Sequence, residues 1–148
     1  MQAELLQINV KAVLPAVQGY ALFLACSEKT FVVYVEPSLG EAIARALSNA
    51  NNERPLTHDL IYNILFGLDV TIQHMVINDI DDKAFFARLF LKMQNELGTK
   101  LIEIDARPSD AMVLTLRAGS PIYVTQTVID KVEDMTEALE RIINRTSM

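Results

Sequence analysis

From Leu5 to Leu14 polar and apolar residues alternate. Leu6, Ile8, Val10, Ala12 and Leu14 point one way, and Gln7, Asn9 and Lys11 the other. A period of two predicts a strand with one face buried. Pro15 and Gly19 close it. Tyr20–Cys26 and Phe31–Glu36 predict two more strands, divided by the polar turn Ser27–Thr30. After Pro37 the spacing becomes helical, with Ala42, Ile43, Ala46 and Leu47 on one face. A polar loop, Asn49–Glu53, leads to Arg54-Pro-Leu-Thr-His-Asp59, which opens a second helix. Thr57 is its expected N-cap and Asp59 lies in its first turn. Leu60, Ile61, Ile64, Leu65 and Leu68 form a wide apolar stripe along it. Val70–Ile80 and Ala84–Met93 predict a hairpin turning at Ile80–Lys83.

Leu101 to Val124 holds the sharpest pattern. Leu101–Asp105 is a β-rich run, and Pro108 suits a first helical position because its missing N–H is unpaired there anyway. Ser109 and Asp110 fall in the first turn, and Ala111–Leu116 is apolar nearly all round, so this helix should be covered on most sides. Gly119 supplies the stop, and Pro121-Ile-Tyr-Val resumes extended chain. Strand, helix and strand make a βαβ unit. Two short amphipathic segments follow, Thr127–Val132 and Thr136–Asn144.

A faint repeat links the halves. Val35-Glu36 stands to Glu41-Ala42-Ile43 as Ile104-Asp105 stands to Asp110-Ala111-Met112, at an offset of 69 residues. The predicted class is α+β: duplicated βββα units forming a mixed, largely antiparallel sheet with helices packed on it, plus a short βαβ near the C-terminus. One domain over residues 1–134 is expected, with a C-terminal helix in 135–148 packed on it.

A chain of 148 residues with 51 % apolar content predicts a packed globule. No apolar run reaches the roughly 18 residues of a membrane span, and a start without basic residues argues against a secretory signal. One cysteine, Cys26, excludes an internal disulfide and fits a reducing cytoplasm, where a buried thiol is expected. The net charge of −6 disfavours broad adhesion to nucleic acid, so any such contact must be local.

No phosphate loop, HExxH or Cys/His metal spacing is present. Two stretches could still carry chemistry. Arg54-Pro-Leu-Thr-His-Asp59 and Asp105-Ala-Arg-Pro-Ser-Asp110 each set an arginine, a hydroxyl and a carboxylate at a helix start, where free N–H groups favour an anion. The same residues also suit a purely structural role as caps and dipole partners. His74, on an apolar strand face, is expected to be a hydrogen-bonded core or interface histidine. Asp79, Asp81 and Asp82 suit a solvated turn better than a calcium loop. Phe86, Arg88, Phe90 and Lys92 share a strand face that suits either stacked bases or a second subunit.

Three segments together resemble the bifunctional nuclease family, a bacterial and plant domain credited with DNase and RNase activity. They are Arg54–Asp59, Asp82-Lys-Ala-Phe-Phe-Ala-Arg-Leu89, and Asp105–Ala111 with Gly119-Ser-Pro-Ile-Tyr-Val124. The likeness runs from about Val10 to Val132. Ala84 and Phe86 stand where the family has Thr and Tyr, and Glu36 and Leu39 where it has glycine and glutamate. The resemblance implies a homo-oligomeric α+β protein, most simply a dimer, with nucleic acid as substrate. The resulting expectation is a cytoplasmic, bacterial phosphodiesterase using a divalent metal, Mg or Mn. His58, Asp59, Asp105 and Asp110 are the candidate catalytic residues, with Asp105 and Asp110 as metal ligands. Arg54, Arg107, Thr57 and Ser109 are the candidate phosphate contacts. The rival expectation is a non-catalytic homodimeric binding or regulatory module.

Overall fold

The computed structural model describes residues 4–146; residues 1–3 and 147–148, at the two ends of the expected domain and C-terminal helix, lie outside the described residues. In chain order the elements are β1 Leu5–Ala16, β2 Gly19–Ala25, β3 Thr30–Val35, α1 Pro37–Ser48 and α2 Thr57–Gly67. There follow β4 Val70–Asp81, β5 Ala84–Asn95, β6 Gly98–Ala106, α3 Pro108–Ala118, β7 Ile122–Thr125, α4 Gln126–Lys131 and α5 Thr136–Thr146. Each half thus runs through three strands and a helix, with α2 between the halves.

The strands form one mixed seven-stranded sheet in the order β3-β2-β1-β7-β4-β5-β6, as expected of an α+β chain. Every neighbouring pair is antiparallel except β4 and β7. The two meanders meet at β7, which pairs with β1 on one side and β4 on the other. The β4–β5 hairpin turns through Asp82 and Lys83, both with positive φ (46° and 71°). Left-handed backbone at both central positions matches the twist of the flanking strands.

One sheet face carries the main core. Leu22, Leu24, Phe31, Met75, Ile77, Leu89 and Leu91 pack there against Ile43 of α1, Ala111–Leu114 of α3, and Val128 and Ile129 of α4. The all-round apolar pattern of α3 has a direct counterpart: Pro108, Ser109 and Ala111–Thr115 are all buried. Gly119 ends the helix at φ 69°. On the other sheet face, Leu139 of α5 packs with Met135 on Ala21 and Phe23 of β2. Gly40 lets α1 come down on β2, because a Cβ there would lie 2.2 Å from the Tyr20 ring. Among the described residues no helix is long and apolar enough to cross a membrane.

Two local expectations need correcting, for Thr57 and Cys26, and α2 and His74 show surroundings that the pattern left open. Thr57 is the first residue of α2 rather than its cap, the cap position being Leu56. The apolar stripe of α2 is not buried: no residue of that helix is, because α3 already occupies the sheet beneath it. Only Tyr62 and Leu65 reach the core, and Leu60, Ile64, Phe66 and Leu68 are exposed. Cys26 is half-buried rather than enclosed. His74 finds aromatic neighbours, stacking on Phe90 at 4.4 Å with Tyr123 edge-on at 5.6 Å, and burial lowers its pKa.

A residue as enclosed as Met112, fully buried in α3, tests this packing. Met112→Asp sets an unpaired carboxylate in an apolar core and should cost at least ~3 kcal/mol. A loss below about 1 kcal/mol in urea melts would place α3 at the surface.

Candidate functional site

The helix starts at 57 and 108 come together because α2 lies alongside α3. Arg107 is the extended N-cap of α3 and Pro108 its first residue, so Asp110 projects from the first turn. Its carboxylate does not cap the backbone. Asp110 Oδ1 lies 2.8 Å from His58 Nε2, and Asp110 Oδ2 accepts from Arg107 Nε at 2.7 Å. Burial works to raise the Asp110 pKa, but hydrogen bonds from Arg107 and His58 outweigh it and hold the group ionised below its usual value. The same contact with Asp110 raises the pKa of Arg107. Because an ionised carboxylate only accepts, the proton of a neutral His58 sits on Nε2 and the lone pair on Nδ1.

Asp59, the next residue, turns the other way. Asp59 Oδ2 accepts from the Leu56 N–H and from Asn52 Nδ2, both at 2.8 Å, and Oδ1 pairs with Arg117 from the far end of α3. The Leu56 backbone bond is the main reason its pKa is lowered; desolvation opposes it, and Asn52, Arg117 and His58 add to the lowering. Arg117 also lies over the Tyr62 ring, 4.8 Å from its centre.

His58, Asp110 and Arg107 sit on the rim of an open groove of about 660 Å³ between α2, α3 and the β5–β6 pair. Ile61, Leu65, Leu89, Leu91 and Ile104 make its apolar floor, and Thr57 and Glu36 complete the rim. Glu36 Oε1 lies 4.0 Å from Arg107, whose side chain is 61 % exposed and so keeps donors free for a ligand.

The other candidates are placed elsewhere. Asp105 borders the groove, but its carboxylate is directed at Arg88, 3.8 Å away. Asp105 and Glu103 alternate with Ile102, which packs on the core, and Ile104, which lines the groove, so both address Arg88 on the outer sheet face. Ser109 is buried beside a separate hollow lined by Phe31 and Phe85. Arg54 is exposed, and among the described residues it joins neither the groove nor the hollow behind His58. Arg117, Asn52 and Tyr62 were not foreseen. The available signal was that Arg117 lies two helical turns beyond Asp110 and so shares its face.

The donor set does not fit a divalent cation as arranged. Among the described residues no group of three His, Cys, Asp or Glu side chains is placed to hold one. The oxygens of Asp59 and Asp110 already accept from arginine, histidine, amide or backbone donors. A metal would have to displace Arg107 or Arg117.

Residues 22–137 match the family described as the bifunctional nuclease domain. The chain belongs to that family. Among its relatives are uncharacterized proteins of Mycobacterium tuberculosis strains CDC 1551 and H37Rv, each 31 % identical over 105 residues. The match covers 71 % of this chain, which spans about 60 % of the length of those relatives.

The two lowered carboxylates give the fold a defined acid sensitivity. A pKa below the ordinary 3.8 means that the unfolded chain takes up protons first as pH falls. The stabilisation is therefore complete above that value and is lost as pH drops through the folded pKa. Asp59→Asn should be less stable than the native protein at neutral pH, with a deficit that stays constant down to about pH 5 and shrinks below about pH 4. Urea midpoints measured across that range check this. A deficit independent of pH would mean that the Asp59 charge contributes nothing to folding.

Proposed function

We propose that the groove hydrolyses phosphodiester bonds of nucleic acid, with His58 as general base and Arg107 as the phosphate clamp. The His58–Asp110–Arg107 constellation carries the proposal: a histidine oriented by a carboxylate stands beside a guanidinium with free donors. Membership of a nuclease-named family supports it. In the reaction a water oxygen bonds to phosphorus while its proton passes to His58 Nδ1. The ester P–O bond then breaks, and the departing oxygen takes a proton from solvent. Arg107 N–H groups meet the charge that builds on the non-bridging oxygens, where a fixed donor counts for more than in water. Asp110 keeps the imidazole in the productive tautomer and steadies its charged form. No step passes through a metal.

A second reading rests on the same contacts. The Asp59 and Asp110 carboxylates are both engaged by arginines, which also suits a non-catalytic module whose ion pairs only fasten local structure. His58→Ala and Asp110→Asn separate the two. The enzyme reading expects each to lower the cleavage rate at least about a hundredfold with the fold retained. Cleavage should coelute with the protein through repurification and survive chelation. Equal cutting by native protein and both variants would assign the activity to a contaminant and remove the proposal. Loss of cutting on chelation would show that an arginine moves aside for a cation, and the metal-free route would be dropped.

The assembly we propose is a two-fold homodimer. From Leu60 to Leu68 α2 carries no charged residue, and Leu60, Ile64, Phe66 and Leu68 are exposed along it. A helix so apolar needs cover, and an uncharged face meets no repulsion from its own copy about a two-fold axis. Light scattering at micromolar concentration should give twice the 16.6 kDa chain mass. Ile64→Asp should return the monomer. A native protein that is monomeric at every accessible concentration would refute the dimer.

A further inference from the structure

Behind His58 lies a second hollow, an open pocket of about 320 Å³ bounded by the C-terminal half of α1, the loop after it, and the facing sides of α2 and α3. Its charge balance departs from that of the molecule. Two guanidiniums, Arg45 and Arg117, line it with one carboxylate, Asp59, in a chain of net charge −6. Asp59 is already engaged at both oxygens. Arg117 is held by Asp59 and lies over the Tyr62 ring. Arg45 is different: among the described residues its side chain has no hydrogen bond and no ion pair. It sits in the last turn of α1, where attraction to the helix dipole is weak and screened and leaves the guanidinium donors free. The amides of Asn49 and Asn51 border the same space, and Ala42, Ala46 and Val113 give it an apolar wall.

We propose that this pocket binds a phosphomonoester, its phosphate on Arg45 and the neighbouring asparagine amides and its organic part against the alanine wall. A guanidinium fork matches a phosphate with paired N–H donors, and the surplus cation of the pocket is left for the ligand. The volume of about 320 Å³ lies at the lower end of small-molecule sites and fits a mononucleotide. His58 borders both this pocket and the groove, but the proposed phosphate contacts belong to the pocket alone and do not depend on cleavage in the groove.

Isothermal titration of the whole protein with adenosine 5′-monophosphate, adenosine and orthophosphate tests the proposal. The monophosphate should bind and adenosine should not. Arg45→Ala should weaken binding at least tenfold, and Arg45→Lys should restore part of it. Lys92→Ala on the outer sheet face should change affinity less than twofold. Binding that needs Arg45 would thus keep this site whatever becomes of the nuclease reading. Orthophosphate binding that also needs Arg45 would identify the phosphate group itself as the ligand and uphold the site. No heat from either phosphate at millimolar concentration, or unchanged binding in Arg45→Ala, would overturn it.

Discussion

Burial of α3 is the constraint from which the rest follows. A helix apolar around nearly its whole circumference cannot lie on a sheet with one side in water. Here β4 and β5 lie beneath it, α1 flanks it, and α2 is drawn alongside. That demand puts the start of α2 against the length of α3. Two helix starts far apart in sequence, at 57 and 108, therefore face each other, and His58 meets Asp110 across 2.8 Å.

Electrostatics then fixes what packing only brings near. Consecutive residues of α2 grip α3 at two places: His58 at its first turn and Asp59, through Arg117, near its last. About two turns, roughly 10 Å of helix axis, separate those points. A two-point hold fixes direction as well as position, which a single ion pair cannot do. Exposed pairs are each worth little, ~0–1 kcal/mol. These carboxylates are more shielded, with Asp59 only 13 % exposed in its side chain, and the backbone bond from Leu56 anchors it. Such a geometry steadies an imidazole without relying on a metal.

Most of the architecture was legible because it depends on local period. Alternation marked the strands, and Pro108 and Gly119 bracket α3 within the sequence as they do in the fold. The partial burial of α2 was not legible, since an apolar stripe says that a helix needs cover and not what supplies it. The site was half legible. His58, Asp110 and Arg107 converge. Asp105, two positions before Arg107, points away because alternation along β6 sends it to Arg88 on the outer face. Arg54 looked equivalent to Arg107, yet one precedes a loop and the other caps a buried helix. Arg117 escaped notice because its partner, Asp59, is remote in sequence and only the packing of α2 on α3 pairs them.

The weakly buried α2 ties the site to whatever covers that helix. His58 is carried by an element with no buried residue, held to the body by Tyr62, Leu65 and its two polar grips. Local opening is easiest where few apolar contacts must break, so α2 is the element whose departure would dismantle the constellation while leaving the sheet intact. A partner laid along Leu60, Ile64 and Leu68 removes apolar area from water only when α2 is docked and ordered. Association of the proposed kind would stabilise the docked helix by mass action, and the position of His58 with it. If the proposed dimer forms along this helix, assembly and site geometry would be one equilibrium, joined through α2.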